Sequence, residues 1–266
     1  MTSKPLLSVT RLTKRFGGLT AVEDLSFDLF PGEILALIGP NGAGKTTTFN
    51  LIAGTLKPTT GAIALIDKRI DKLPVHRVAE CGLMRTFQHN LPFAGLSLTE
   101  NILVGRHSRF QASVTDILLG RSFVVEEERI ALQKAAEMIE FVGLHDCEEK
   151  DVSTLSFGEG RLLELARALA GEPRVILLDE PAAGLTQSEM VRLAAVIRDV
   201  AVRGIAVLLI EHDMHFLLPL AHRAIVLNFG RKIAEGTPSE IIRDAAVVEA
   251  YLGEAAGIFA ADLSDA

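Results

Sequence analysis

The chain contains no tryptophan, one tyrosine and two cysteines among 266 residues. Cys81 and Cys147 stand alone, belong to no C-x-x-C spacing and are too few for a disulfide framework. That excludes a disulfide-stapled scaffold and a cysteine zinc module, and it points to a reducing compartment in which both residues simply pack. Lysine- or arginine-rich blocks are missing as well. With 27 basic against 34 acidic residues the net charge is −7, which argues against a surface that coats nucleic acid. Long apolar runs are also absent: stretches such as Ala206-Val207-Leu208-Leu209-Ile210 fall far short of a membrane span, and Met1-Thr2-Ser3-Lys4-Pro5 has no signal-peptide core. The expectation is a chain soluble by itself, whose membrane role comes through partners. What is abundant is apolar content, 48%, enough at this length for one large α/β domain or a domain with a subdomain. No internal repeat is found.

The most informative stretch runs from Glu33 to Asn50. An apolar run, Ile34-Leu35-Ala36-Leu37-Ile38, leads into Gly39-Pro40-Asn41-Gly42-Ala43-Gly44-Lys45-Thr46, and an amphipathic segment beginning Thr47-Thr48-Phe49 follows. Strand, G-x-x-x-x-G-K-[ST] turn and helix are the context a phosphate-binding loop needs. Its glycines let backbone N–H groups turn inward toward phosphate oxygens, and the helix adds its positive N-terminal end. Lys45 suits the β and γ phosphates, and the Thr46 hydroxyl suits Mg²⁺.

Ahead of this loop, Leu6 to Phe30 alternate apolar and polar residues around Gly17-Gly18, which predicts antiparallel strands. Phe16, beside that turn, is either a core ring or one that stacks on a base. Beyond the loop, Ala62 to Ile66 and Leu83 to Phe87 read as strands, the second ending in Gln88, which is a metal or phosphate contact or a solvated amide. Helical stretches follow: one opens at Thr99 with that residue as its cap, and Glu126 to Val142 has apolar positions at helical spacing. This predicts a helical insertion between two halves of a sheet.

Ser156 then caps a helix through Leu169 whose N-terminus is open to an anion. Gly171-Glu172-Pro173 stops it, and Val175-Ile176-Leu177-Leu178 has the continuous apolar character of a strand buried in a parallel sheet. The strand ends in Asp179-Glu180, at the edge where open α/β sheets bind ligands. Neighbouring strand residues point in different directions, so the two acids take different tasks: Asp179 in the metal shell, Glu180 as base for an attacking water. Thr186 caps a helix from Gln187 to Val202, Ile205 to Ile210 is another buried strand, and His212 lies at its end with a phosphate or water contact in reach. Ala224 to Asn228 and Arg231 to Gly236 read as a hairpin, with helical residues from Pro238 to Leu252 after it.

This order of motifs resembles the ATP-binding subunit of an ABC transporter over nearly the whole chain. In that resemblance Phe16 is the adenine-stacking aromatic, Gly39 to Thr46 is the Walker A loop and Gln88 is the Q-loop glutamine. Leu155 to Gly160 is the signature motif, Val175 to Asp179 is Walker B, Glu180 is the catalytic glutamate and His212 is the switch histidine. It implies a P-loop NTPase (RecA-like) α/β core with an N-terminal antiparallel β-subdomain and an α-helical subdomain. The implied ATP-binding domain spans 1–253, with the helical subdomain at about 88–170, C-terminal helices at about 238–253 and a tail at 254–266. ATP and Mg²⁺ are the implied ligands: Gly39, Pro40, Asn41, Gly42, Ala43, Gly44, Lys45, Thr46, Thr47, Phe16 and Gln88 hold the nucleotide, and Ser156 and Gly158 hold the γ-phosphate of the opposite subunit. Thr46, Gln88 and Asp179 serve the metal, and Glu180, His212 and Lys45 the hydrolysis. Arg85-Thr86-Phe87-Gln88-His89, Glu180 to Leu185, Ile210 to Met214 and Leu227 to Pro238 are similar to the branch that takes up branched-chain, hydrophobic amino acids.

The resemblance further implies a head-to-tail dimer, with itself or a second related ATPase, that closes on two ATP molecules. Separate permease subunits, docked near Gln88 to Gly105, would receive the motion at the cytoplasmic face of the inner membrane, with an extracytoplasmic solute-binding protein engaged indirectly and no nucleic acid. Phe157 and Glu159 depart from the signature's usual Gly and Gln, and Thr186 stands at the D-loop aspartate position. Glu159 is expected to weaken closure by placing negative charge near phosphate, and Thr186 to alter the D-loop bonds, leaving the two sites of a dimer unequal. The competing reading, an ABC-type ATPase of DNA repair or chromosome maintenance, calls for coiled-coil heptads or zinc cysteines in the insertion, and neither is present. A P-loop GTPase lacks its N-K-x-D motif, and a P-loop kinase leaves Ser156, Gly158 and His212 unexplained.

Overall fold

The computed structural model describes residues 4–86, 92–148 and 150–252. The alternating N-terminal segment forms β1 (Leu7–Phe16) and β2 (Leu19–Leu29), an antiparallel pair whose register runs from Leu7↔Leu29 to Phe16↔Leu19 across the Gly17-Gly18 turn. The apolar run before the glycine loop is β3 (Ile34–Ile38), buried at every position, and α1 (Lys45–Ile52) begins directly after Gly44. β4 (Thr60–Leu65) pairs antiparallel with β1, and the short β5 (Lys68–Arg69) pairs with β4. A short helix that the residue pattern did not announce, α2 (Val75–Glu80), leads to β6 (Leu83–Arg85). The expected strand through Phe87 therefore stops at Arg85, and Gln88 lies outside the described residues.

The insertion comprises α3 (Leu98–Gly105), α4 (Val114–Leu118), α5 (Ser122–Val142) and α6 (Phe157–Ala170). Two boundaries differ from expectation. α3 is capped by Ser97, whose hydroxyl accepts from Glu100 N while the Glu100 carboxylate accepts from Ser97 N. This reciprocal pair satisfies two end donors, which a cap at Thr99 would not. α5 starts at Ser122, a turn earlier than Glu126, although Phe123 is exposed and the buried face of the helix begins only at Ala131. Asn101, fully buried in α3, donates to the carbonyls of Phe93, Leu96 and Ser97 and accepts from Phe93 N, and so fixes the loop ahead of α3. Gly105 ends α3 where a Cβ would lie 1.8 Å from the Arg167 carbonyl oxygen, so only glycine lets α3 and α6 approach this closely.

The second half runs β7 (Val175–Asp179), α7 (Gln187–Val202), β8 (Ala206–Ile210), α8 (Met214–Leu217), β9 (Arg223–Asn228), β10 (Arg231–Gly236), α9 (Pro238–Arg243) and α10 (Ala245–Leu252). The single helical segment expected after Pro238 is broken at Asp244, whose extended backbone ends α9 and whose carboxylate accepts from Ala246 N. Two sheets result: β2-β1-β4-β5, antiparallel, and β10-β9-β3-β8-β7-β6, parallel except for β10. One apolar core joins the first sheet and α1 to the second, through Leu7, Phe27, Phe49, Leu177 and Leu208. A second joins α3, α5, α6 and α7 to the opposite face of the parallel sheet. Burial on both faces explains the continuous apolar character of β3, β7 and β8. Their parallel alignment brings the glycine loop, Asp179-Glu180 and Glu211-His212 to one edge, the C-terminal one, where such sheets bind ligands.

Candidate functional site

The loop between β3 and α1 needs left-handed backbone at Gly39 (φ +146), Gly42 (φ +76) and Gly44 (φ +102). A side chain at Gly39 would also strike the Leu227 carbonyl, 2.1 Å from an added Cβ, because β9 runs alongside. Gly44 is the N-cap of α1 and supplies no side-chain cap, so the first helical N–H groups remain available to an anion. Lys45 turns its ammonium into the loop, donating to the carbonyls of Gly39 and of Pro40 (2.9 Å). Thr46 is exposed on the first turn, whereas Thr48 is buried and returns its hydroxyl to the Gly44 carbonyl. Phe16 is not a core ring: it is 45% exposed at the end of β1, with the Lys14 ammonium 4.9 Å from its centroid.

Asp179 closes β7 with a nearly buried side chain. One carboxylate oxygen accepts from the Arg85 guanidinium at 2.7 Å, and Arg85 also donates to the Asn50 amide oxygen of α1 at 2.6 Å. Arg85, which the residue pattern did not single out, thus ties β6, β7 and α1 together. Glu180, next in sequence, is held in left-handed backbone (φ +48), a conformation unusual for a side-chain-bearing residue and concentrated at functional sites. Its N–H donates to the Ile210 carbonyl, and its carboxylate lies 3.9 Å from His212 Nδ1. The two residues placed at neighbouring strand ends are therefore brought together.

Glu211 supports both and was also missed. Its side chain is fully buried; one oxygen accepts from Ala182 N (3.0 Å), in the loop after Glu180, and the other from His212 N (2.9 Å), with His212 Nδ1 at 3.5 Å. Burial pushes its carboxyl above the ordinary range, opposed by those backbone donors. Its signal was present as an acid placed between a buried strand and a site histidine, but nothing local specifies the partner Ala182.

Ser156 is the N-cap of α6, and its bonds explain Glu159. The Ser156 hydroxyl accepts from Glu159 N, and the Glu159 carboxylate accepts from Ser156 N (2.7 Å), from the Cys147 thiol (3.1 Å) and from the Lys150 ammonium (2.9 Å). Glu159 is the reciprocal cap partner, a position that Glu and Gln share, and its charge is matched by Lys150. These bonds, the Cys147 thiol first, lower its pKa to about 2. The acid with a depressed pKa contributes stability that is full above about 4.5 and is lost as pH falls through about 2. Glu159→Gln keeps the cap and removes the titration. Urea unfolding between pH 5 and pH 2 is expected to show the wild type losing roughly 1–2 kcal/mol more than the variant, after allowance for solvent screening; parallel curves would refute the assignment.

Thr186 caps α7 in the same reciprocal way with Glu189, which also reaches Gly158 N of α6 at 3.1 Å. Phe157 packs on the same loop: its ring edge lies 3.0 Å from where a Cβ of Gly184 would stand, and the Arg161 guanidinium is 5.0 Å from its centroid. Two of the three departures from the usual motif residues, Phe157 and Thr186, belong to this junction between α6 and α7, whereas Glu159 is bonded to Ser156, Cys147 and Lys150.

The donors fit ATP and Mg²⁺. Among the described residues no group of three or more His, Cys, Asp or Glu can hold a metal. The Thr46 hydroxyl, exposed on the first turn of α1, and the Asp179 carboxylate at the end of β7 are hard-oxygen donors of the kind Mg²⁺ takes together with phosphates and waters.

The chain is similar to known proteins over nearly its whole length. The family model described as ABC transporter matches residues 22–183, and one described as branched-chain amino acid ATP-binding cassette transporter matches residues 231–257. The chain is 42% identical to the high-affinity branched-chain amino acid transport ATP-binding protein LivG of Escherichia coli, over 95% of this chain and 100% of that protein. It is 40% identical, over 95% and 100%, to BraF of Pseudomonas aeruginosa, which carries the same description. It is 35% identical to the lipopolysaccharide export system ATP-binding protein LptB of Escherichia coli, over 93% and 97%. Among solved structures, an ATP-binding cassette of an ABC transporter in its ADP conformation superposes with a TM-score of 0.82 at 30% identity, covering 95% of this chain and 100% of the other.

Proposed function

We propose that this chain, which belongs to the ABC transporter family, is the ATP-hydrolysing subunit of an importer for branched-chain or related hydrophobic amino acids. The observation that carries the reading is the convergence, at one edge of a parallel sheet, of a glycine phosphate loop, Asp179, and a Glu180–His212 pair braced by buried Glu211. The amino-acid branch is supported by 42% identity to LivG over nearly the full length and by the C-terminal match at residues 231–257.

In this reading the N–H groups of Asn41 to Lys45 and the Lys45 ammonium cradle the phosphates, and Phe16 stacks on the base. Thr46 and Asp179, with Gln88, hold Mg²⁺, which supplies charge neutralisation on the phosphate oxygens. Glu180 orients a water and accepts its proton, while His212, 3.9 Å away, contacts the γ-phosphate. Ser156 and Gly158 at the start of α6 take the γ-phosphate held by an opposing subunit, a second related ATPase or another copy, so ATP favours the closed pair and hydrolysis releases it. No helix among the described residues is long and apolar enough to cross a membrane. In this reading motion passes to separate permeases at the inner face of the membrane, through the loop that Asn101 fixes ahead of α3. A solute-binding protein outside the membrane would present the amino acid to them.

The test is affinity purification of the Glu180→Gln variant with ATP and Mg²⁺ from gently solubilised membranes. The reading expects two permeases and a second ATPase to accompany it. Recovery of DNA-processing proteins, or of lipopolysaccharide-export components, without amino-acid permeases would overturn it.

A further inference from the structure

Gly158 is buried, although it stands at the second position of α6 beside exposed Ser156 and Phe157. The Glu189 side chain covers it. One Glu189 oxygen accepts from Gly158 N at 3.1 Å, while the other accepts from Thr186 N at 2.9 Å and from the Thr186 hydroxyl at 2.8 Å. An added Cβ at Gly158 would fall 2.5 Å from that first oxygen, so the carboxylate lies flat on the glycine's open face. The contact spans the α6 N-terminus and the loop from Pro181 to Thr186 that follows Glu180, and Phe157 packed on Gly184 closes the same seam.

We infer that Glu189 is a positioning residue for ATP-driven closure: in the single chain its carboxylate occupies the Gly158 N–H that an opposing subunit's γ-phosphate takes on closure. The inference rests on the signature role proposed above for Ser156 and Gly158. The chemistry follows from one donor and two anions. An amide N–H at a helix start favours negative charge, and one hydrogen cannot serve a carboxylate and a phosphate at full strength together. Closure therefore transfers Gly158 N–H from Glu189 to phosphate. The released Glu189 still caps Thr186, so α7 stays formed while its link to α6 opens. Glu189 thus sets how much ATP closure requires and keeps the loop after Glu180 attached to α6 until the phosphate arrives.

Glu189→Gln separates this role from capping. Gln is as good a cap partner as Glu, so the Thr186 box survives. Gln places an oxygen at only one of the two positions the carboxylate oxygens fill, so with Thr186 N served its NH2 group faces the Gly158 N–H, and it carries no charge to compete with phosphate. In the Glu180→Gln background, sedimentation velocity across an ATP series with Mg²⁺ is expected to show the half-association point about tenfold lower in ATP for Glu180→Gln/Glu189→Gln than for Glu180→Gln alone, the loss of one charge-assisted hydrogen bond. Amide exchange at Gly158 in the ATP-free chain is expected to quicken in the Glu189→Gln variant. An unchanged or raised half-association point in a variant of normal melting temperature overturns the inference, since a merely structural cap would give one of those results. If neither protein associates with ATP, the closure reading itself fails and takes the inference with it.

Discussion

Replacing Glu180 by glutamine is expected to slow ATP hydrolysis by about 10²- to 10⁴-fold, the usual worth of a positioned general base, while ATP affinity stays unchanged. The two effects separate because different parts of the structure carry them. In the proposed reading affinity comes from the glycine loop and Lys45, whose bonds to the Gly39 and Pro40 carbonyls do not involve Glu180. In the same reading turnover depends on the Glu180 carboxylate, held in left-handed backbone 3.9 Å from His212 and braced by Glu211 through Ala182 N and His212 N. Glutamine fits the same volume and backbone but cannot take a proton. Steady-state hydrolysis by the intact complex gives the first quantity and calorimetric titration of ATP the second. A loss in rate below tenfold would remove Glu180 from the role of base.

Arg85→Ala is expected to destabilise the nucleotide-free chain by about 3–5 kcal/mol, the cost of leaving a buried charge unmatched. Asp179 is 7% exposed and Arg85 11% exposed in their side chains, and the 2.7 Å contact between them lies inside the sheet edge. Removing the guanidinium strands the carboxylate and cuts the bridge to Asn50 on α1. Arg85→Lys keeps the charge but not the fork that reaches both partners, so its loss should be smaller. Urea titrations of the three proteins measure this, and Mg²⁺ with ATP should recover part of the loss by placing other cationic charge beside Asp179. A cost under about 1 kcal/mol in Arg85→Ala would mean that the pair behaves like a surface contact.

The site residues found by pattern are those whose chemistry and local setting coincide in sequence. Gly39 to Thr46 announce a loop because glycines, lysine and threonine sit between an apolar run and a helical one. Asp179 and His212 announce an edge because the first closes a continuously apolar strand and the second lies two residues beyond the end of another. The residues that brace them were not apparent. Arg85 meets Asp179 across 94 positions, Glu211 meets Ala182 across 29 and Glu189 meets Gly158 across 31, and no local rule selects such partners. The caps are an intermediate case. Ser156-x-x-Glu159 and Thr186-x-x-Glu189 are both readable as reciprocal boxes. Taking Glu159 as a charge facing phosphate overlooked the bond it makes back to Ser156 N and the neutralising Lys150. The same local rule places the α3 cap at Ser97, with Glu100 three residues on, in preference to Thr99.

That difference bears on the expected inequality of two sites in a dimer. Glu159 is paired with Lys150 within its own subunit and Thr186 serves as the cap of α7. Inactivating one site at a time would reveal any inequality as unequal residual turnover.

The most direct test of the central claim is uptake of radiolabelled leucine, isoleucine and valine by the native host. The natural copy is replaced by the wild-type chain or by the Glu180→Gln variant, expressed at equal levels. The account predicts that uptake of at least one of the three falls to the level of a strain lacking the chain when Glu180 is replaced, and is full with the wild type. Equal uptake in both strains, with the defect appearing instead in the cell envelope or in DNA maintenance, would contradict it.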